Sequence, residues 1–186
     1  MQEEINKVIT VLENGGIILY PTDTIWGLGC DAKNEAAVQR IYEIKKRIHS
    51  KSLIILLDDD RKLNRFVREV PEVVWDILDY SIKPTTVIYP EAINLPKNLV
   101  ASDGSIAIRI TKDDFCRKLI QRFKNPIVST SANIAGSNAP KDFKDIAPEI
   151  LKAVDHVVHL RASEKNNEPS SIIKIGPKGE LDIIRK

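Results

Sequence analysis

The sequence predicts an α/β fold, a twisted mixed β-sheet flanked by helices. Two patterns carry the prediction: segments with apolar residues every three or four positions, and short continuous apolar runs of the length of a buried strand. The two alternate too irregularly for a doubly wound parallel sheet, so a mixed sheet is expected. With 186 residues, 42% hydrophobic and 29% charged, the chain has the composition of a folded domain, expected to span 1–186.

Ile5, Val8, Ile9 and Leu12 fall at helical spacing, which predicts a helix over 3–14 stopped by Gly15-Gly16. Residues 17–20 read as a strand buried on both faces, ended by Pro21 and followed by the polar Thr22-Asp23-Thr24. Asn34 caps a helix predicted over 35–47, with Ala37, Ile41 and Ile44 inward and the basic cluster Lys45-Lys46-Arg47 at its end. A strand over 53–57 precedes helical patterns near 60–68 and 71–80, the second with Pro71 in its first turn. β-Branched residues predict strands at 85–89 and 106–110. Phe115, Leu119 and Ile120 mark a helix, and 126–128 a strand that opens into the small polar run 129–138. A helix near 142–153 and strands near 156–160, 171–175 and 181–184 complete the order, with 161–169 a polar loop.

Several function classes are excluded by what the chain lacks. It contains no Gly-x-Ser-x-Gly elbow, no Walker A sequence and no His-Glu-x-x-His. His49, His156 and His159 have no cysteine or carboxylate at metal-ligand spacing, so no protein-held metal is expected. Cys30 and Cys116 are too few for a disulfide framework and read as buried thiols. No apolar run approaches the ~20 residues of a membrane span, and the N-terminus lacks a secretory pattern, so a cytoplasmic protein is expected. The net charge of +2 implies no nucleic-acid partner by itself.

What remains is a set of polar groups beside apolar strands, where open α/β sheets collect ligands. Singly, each has an ordinary explanation: Pro-Thr-Asp-Thr as a turn, Ser-Thr-Ser-Ala-Asn as a loop, Lys45-Lys46-Arg47 as a solvated helix end. Arg109 is different. Flanked by Ile108 and Ile110 in a strand, an inward-pointing guanidinium requires an anionic partner.

Taken together and in order, these pieces resemble the YrdC family of threonylcarbamoyl-AMP synthases. The resemblance runs from Gly16 through Pro21-Thr22-Asp23-Thr24-Ile25-Trp26-Gly27-Leu28-Gly29 to Ile41-Tyr42-Glu43-Ile44-Lys45-Lys46-Arg47. It continues through Ala107-Ile108-Arg109-Ile110, Ser129-Thr130-Ser131-Ala132-Asn133, Ser170-Ser171-Ile172-Ile173 and Ile183-Ile184-Arg185. It implies a YrdC-like fold with a central ligand cavity, and a nucleotidyl-transfer reaction joining L-threonine, bicarbonate or CO2, and ATP. ATP is implied near Lys45, Arg47, Lys51, Ser105, Ser131, Asn133, Ala139 and Arg185. Threonine is implied near Thr24, Arg109, Ser129 and Ser171. Mg2+ is expected on the triphosphate, held mostly by phosphates and water. The product would pass to a tRNA threonylcarbamoyl transferase complex, with direct contact to tRNA or double-stranded RNA a further expectation. The chain departs from the family pattern at Ile48, at Ile82-Lys83-Pro84, at Leu56 where some relatives carry a histidine, and over 162–168. The alternative is a non-catalytic RNA- or nucleotide-binding paralogue, with Lys45, Lys46, Arg47, Lys51 and Arg61 tracking phosphates.

Overall fold

A computed structural model describes residues 1–47, 53–160, 168–176 and 179–186. The element order is α1 (Gln2–Glu13), β1 (Ile18–Tyr20), β2 (Gly27–Gly29), α2 (Glu35–Ile44), β3 (Ile54–Leu57), α3 (Val73–Tyr80), β4 (Thr85–Tyr89), β5 (Ile106–Ile110), α4 (Asp114–Phe123), β6 (Ile127–Ser131), α5 (Pro148–Ala153), β7 (His156–Val157), β8 (Ser171–Ile175) and β9 (Leu181–Arg185). The strands form one nine-stranded sheet in the order β7-β1-β2-β6-β3-β5-β4-β8-β9. Parallel pairing joins β1 to β7, β3 to β5 and β4 to β8, and the other neighbours are antiparallel. The expected mixed sheet with flanking helices is the architecture found.

Register decides where the site can lie, because residues directly opposite one another share a face. On one face Leu19, Leu28, Ile55, Val87, Ile108 and Val128 pack under α2, α3 and α5, giving the larger core. On the other, Ile18, Tyr20, Leu56 and Ile127 pack under α1 and α4. This second cover is shorter than the sheet. Gly27 faces Ser131, Ile54 faces Ser129, and Arg109 faces both Leu56 and Thr86, so these residues stand on the same face as the α1–α4 core. Beyond the helices, that face is open.

Several element boundaries differ from the sequence expectation. The helix at 35–47 ends at Ile44, and Lys46 takes a positive φ of 50° in the turn that follows. The pattern at 60–68 is a 3-10 helix (Asp60–Arg65) capped by the Asp59 side chain, and Pro71 stands ahead of α3 rather than inside it. The helix near 142–153 is two pieces, a 3-10 turn (Phe143–Asp145) and α5, which opens on Pro148 because proline lacks the N–H an interior position must donate. The strand expected at 126–128 continues to Ser131, so Ser129 and Ser131 are strand residues with fixed direction. The strand near 156–160 is only His156–Val157, where His156 Nε2 pairs with Glu4 Oε1 at 2.7 Å, a structural tie to α1.

β2 was not evident as a strand, because Gly-Leu-Gly has little β-propensity. Its glycines are needed for contact: a Cβ on Gly29 would stand 2.6 Å from Tyr20 Cε1 and 2.8 Å from the Val128 carbonyl oxygen. The second obstacle is sheet backbone and cannot step aside. Gly29→Ala is therefore expected to destabilise the fold by about 1–3 kcal/mol, the usual cost of overpacking, measured as a lowered urea midpoint with an unchanged m-value.

Candidate functional site

The open stretch of sheet forms a cavity of about 260 Å³. Its polar wall is Thr22, Thr24, Arg47, Arg109, Ser129, Thr130, Ser131, Ser170 and Arg185, with Gly27, Ala139 and the apolar Ile25, Leu53, Ile54, Pro169 and Ile172 completing it. Three arginines and no carboxylate are among these described lining residues, which makes the cavity a place for an anion. A larger groove of about 450 Å³ carries the opposite character, with Glu69, Glu72 and Glu91 and no arginine.

Arg109 sits on the cavity floor and is 3% exposed. A guanidinium cannot relieve burial by losing its proton, so it must be met by acceptors. One terminal nitrogen contacts Asp23 Oδ1 at 3.1 Å and the other donates to Thr24 Oγ1 at 3.2 Å, while Nε is buried without a hydrogen-bond partner. Thr24 is held in turn by Thr22, whose hydroxyl lies 2.9 Å from that of Thr24 and donates to the Ile25 carbonyl at 2.8 Å. The turn after β1 is thus built around Arg109. Asp23 escaped the sequence reading as a site residue, although it stood inside the Pro-Thr-Asp-Thr turn; a buried arginine's need for an anion was the available signal.

Lys45 was expected to contact the nucleotide, but its ammonium is turned into the protein wall. It is 1% exposed and donates to the Ser131 carbonyl at 2.5 Å, the Asn133 carbonyl at 2.8 Å and Asn133 Oδ1 at 3.2 Å. Its own carbonyl accepts from Ala135 N–H at 2.8 Å. Asn133 is equally committed: Oδ1 accepts from Ser131 Oγ at 2.5 Å and its amide donates to the Ser137 carbonyl at 2.5 Å. Lys45 and Asn133 therefore shape the end of β6 and the loop beyond it, and Ser131 presents that end to the cavity. Burial, with the Arg47 charge nearby, pushes the Lys45 ammonium down to about 7.

Arg47 follows one residue past the turn, lines the cavity and donates to Thr130 Oγ1 at 3.4 Å. Arg185 enters from the sheet edge, its Nε donating to the Ser170 carbonyl at 2.8 Å. Both guanidinium groups are pulled below the ordinary arginine value by burial, and for Arg185 also by the Arg109 charge. Each of these shifts is one that a bound anion would reverse.

Of the residues implied for the two ligands, the cavity brings together Arg47, Ser131, Ala139 and Arg185 with Thr24, Arg109 and Ser129. Ser171 is not among its lining residues. It is Ser170, one position earlier and so on the other side of the strand, that lines the cavity and bonds Thr86 Oγ1 at 2.8 Å. Ser105 lies in a separate hollow with Ala107 and Lys174, its hydroxyl bonded to Asp103 Oδ1 at 2.5 Å. Leu56, where some relatives carry histidine, is fully buried in the α1–α4 core. Lys51, Ile48, His49 and residues 161–167 lie outside the described residues. Thr22, Gly27, Thr130 and Ser170 are further lining residues that the sequence reading did not single out.

Known proteins of one family are similar to this chain over most of its length. The profile of the Sua5, YciO and YrdC proteins, described as "Telomere recombination", matches residues 10–186. A threonylcarbamoyl-AMP synthase of Pseudoalteromonas translucida is 34% identical over 174 residues, 92% of each chain. A threonylcarbamoyl-AMP synthase of Xanthomonas euvesicatoria pv. vesicatoria is 33% identical over 158 residues, covering 83% of this chain and 84% of the relative. The P. abyssi Sua5 structure complexed with L-threonine superposes with a TM-score of 0.81 at 25% identity, over 91% of this chain and 50% of that one. This chain therefore spans about half the length of that Sua5 protein. E. coli YciO shares the fold, with a TM-score of 0.85 at 22% identity over 100% of this chain and 90% of that one.

The Lys45 ammonium carries a pH signature. Its native value is about 7 against 10.5 for an ordinary lysine, so between these pH values the unfolded chain holds a proton that the native chain has released. Stability from this group therefore rises with pH across that window and is lowest below it. Urea unfolding of wild type and Lys45→Met should show the wild type gaining on the order of 2 kcal/mol relative to the variant between pH 6 and pH 9.

Proposed function

Because the chain belongs to the Sua5, YciO and YrdC family, we propose that its arginine-lined cavity performs the threonylcarbamoyl-AMP synthase reaction. The observation that carries this reading is the convergence of Arg47, Arg109 and Arg185 on one cavity whose remaining polar wall is hydroxyl groups. The substrates bring the reacting groups themselves. The threonine amine adds to CO2, or to bicarbonate with loss of water, giving a carbamate. A carbamate oxygen then attacks the α-phosphorus of ATP, and the bond to the bridging oxygen breaks as pyrophosphate leaves. No protein nucleophile is required, and the lining offers Ser and Thr hydroxyls without an adjacent base.

Arg109 is the partner for the threonine carboxylate. Its unpartnered Nε–H can donate to a ligand oxygen, and its place on the sheet fixes the amino acid at the floor. Thr24 and Ser129 stand beside it for the substrate amine and hydroxyl; buried groups that pair a hydroxyl discriminate strongly against analogues lacking one. Arg47 and Arg185 neutralise the phosphates, where charge builds as pyrophosphate departs. Lys45 and Asn133 act one step back, holding Ser131 and the loop to Ser137 in place. Mg2+ enters as MgATP. The cavity lining supplies no carboxylate, and no cluster of three or more His, Cys, Asp or Glu among the described residues could hold an ion, so phosphates and water are its ligands. Partial burial shields the labile carbamate from water. The adenylate then passes to an acceptor system that modifies tRNA adenosine.

A phosphate-tracking RNA surface is less well supported. Lys46 is paired with Glu149 at 3.4 Å, Arg61 with Asp59, and Lys45 is buried, so three of the five residues it would use are already committed.

Purified protein should release pyrophosphate only when threonine, bicarbonate and MgATP are all present; pyrophosphate independent of threonine would exclude the reading. Arg47→Ala should lower kcat/KM for ATP, and Arg109→Ala kcat/KM for threonine, each at least tenfold, or about 1.4 kcal/mol of transition-state stabilisation.

A further inference from the structure

β8 and β9 pair in antiparallel register with Ile175 opposite Leu181, Lys174 opposite Asp182 and Ile173 opposite Ile183. The next pair along is Ile172 with Arg185, so Ile184 is an inserted residue, a β-bulge. Its effect follows from the two-residue period of a strand. In unbroken register Arg185 would stand opposite Ser171, on the face that carries Ile173 and packs toward the larger core. With the insertion Arg185 shares the face of Ile172, and both line the cavity.

We propose that the bulge at Ile184 is the positioning device that aims Arg185 into the cavity, and that the inserted residue matters rather than its side chain. Ile184 is 53% exposed, so no core contact requires isoleucine there. β9 is an edge strand, where a bulge disturbs pairing on one side only. Once turned, the Arg185 side chain is tied to Ser170 by Nε to the carbonyl at 2.8 Å and a terminal nitrogen to Oγ at 3.4 Å, and Ser170 is itself tied to Thr86 at 2.8 Å. No ion pair joins Arg185 to a carboxylate among the described residues, so its charge is directed at the cavity. The inference rests on the proposed nucleotide site in one respect, that Arg185 meets the ATP phosphates.

Two shifts of register test it: insertion of an alanine after Ile183, and insertion of an alanine after Ile184, each of which carries Arg185 one position on, opposite Ser171. Each turns Arg185 to the opposite face while leaving the rest of the edge strand in sequence. MgATP affinity by calorimetric titration should fall tenfold or more in either variant, as in Arg185→Ala, and adding Arg185→Ala to either should cost nothing further. Ile184→Ala, which keeps the bulge, should stay within about twofold of wild type. A second readout does not depend on the nucleotide. The Arg185 Nε–H resonance, assigned by its loss in Arg185→Ala, should exchange slowly in wild type and in Ile184→Ala, and fast in both register variants. Having two register variants keeps the test decisive if one fails to fold. Slow exchange retained in a folded register variant, or additivity with Arg185→Ala, would overturn the proposal. Absence of MgATP binding in wild type would overturn the nucleotide reading, and the exchange measurement would still decide the role of the bulge.

Discussion

The Arg109 guanidinium is the constraint on which the rest of the site depends. It is carried into the sheet by a strand of otherwise apolar residues, and a buried guanidinium has to be met there by acceptors. Asp23 and Thr24 meet it from the turn after β1, and Thr22 braces Thr24. Removing one partner of such a buried pair typically costs about 3–5 kcal/mol, so the turn and the strand hold each other in place. The arrangement still leaves the buried Nε–H without a hydrogen-bond partner.

A division of labour among the basic residues follows. Arg47, Arg109 and Arg185 line the cavity, whereas Lys45 spends its ammonium on carbonyl oxygens of the β6 end and the loop beyond. The proposed phosphate neutralisation and the loop shaping therefore fall to different side chains, although all four are basic and two are separated by a single residue. That suits a reaction in which substrates supply nucleophile and leaving group and the protein supplies alignment. A clamp made of backbone carbonyls is indifferent to whether ligand is present, so the Ser131 wall is preformed.

Much of the fold was legible in the sequence because its signals are local. Apolar spacing located α1, α2 and α4, and β-branched runs located β4 and β5 with their observed ends. β2 was hidden because Gly29 serves close packing against Tyr20 and Val128, a tertiary reason invisible in propensity. Arg109, alone among the site residues, could be argued from burial chemistry without any resemblance. The direction of side chains was the part least available. Ser170 and Ser171 are chemically identical and differ only in strand face; Lys45 and Arg47 are both cations near one turn, and only packing sends one inward. Arg185 reaches the cavity through a bulge that no one-residue pattern reveals.

The most direct test of the account is the structure of the protein with threonine and a non-hydrolysable ATP analogue bound together. The account predicts the threonine carboxylate within hydrogen-bond distance of Arg109, and the phosphates between Arg47 and Arg185 in the same cavity. A nucleotide bound elsewhere, or Arg109 contacted by Asp23 and Thr24 alone with threonine at another site, would contradict it.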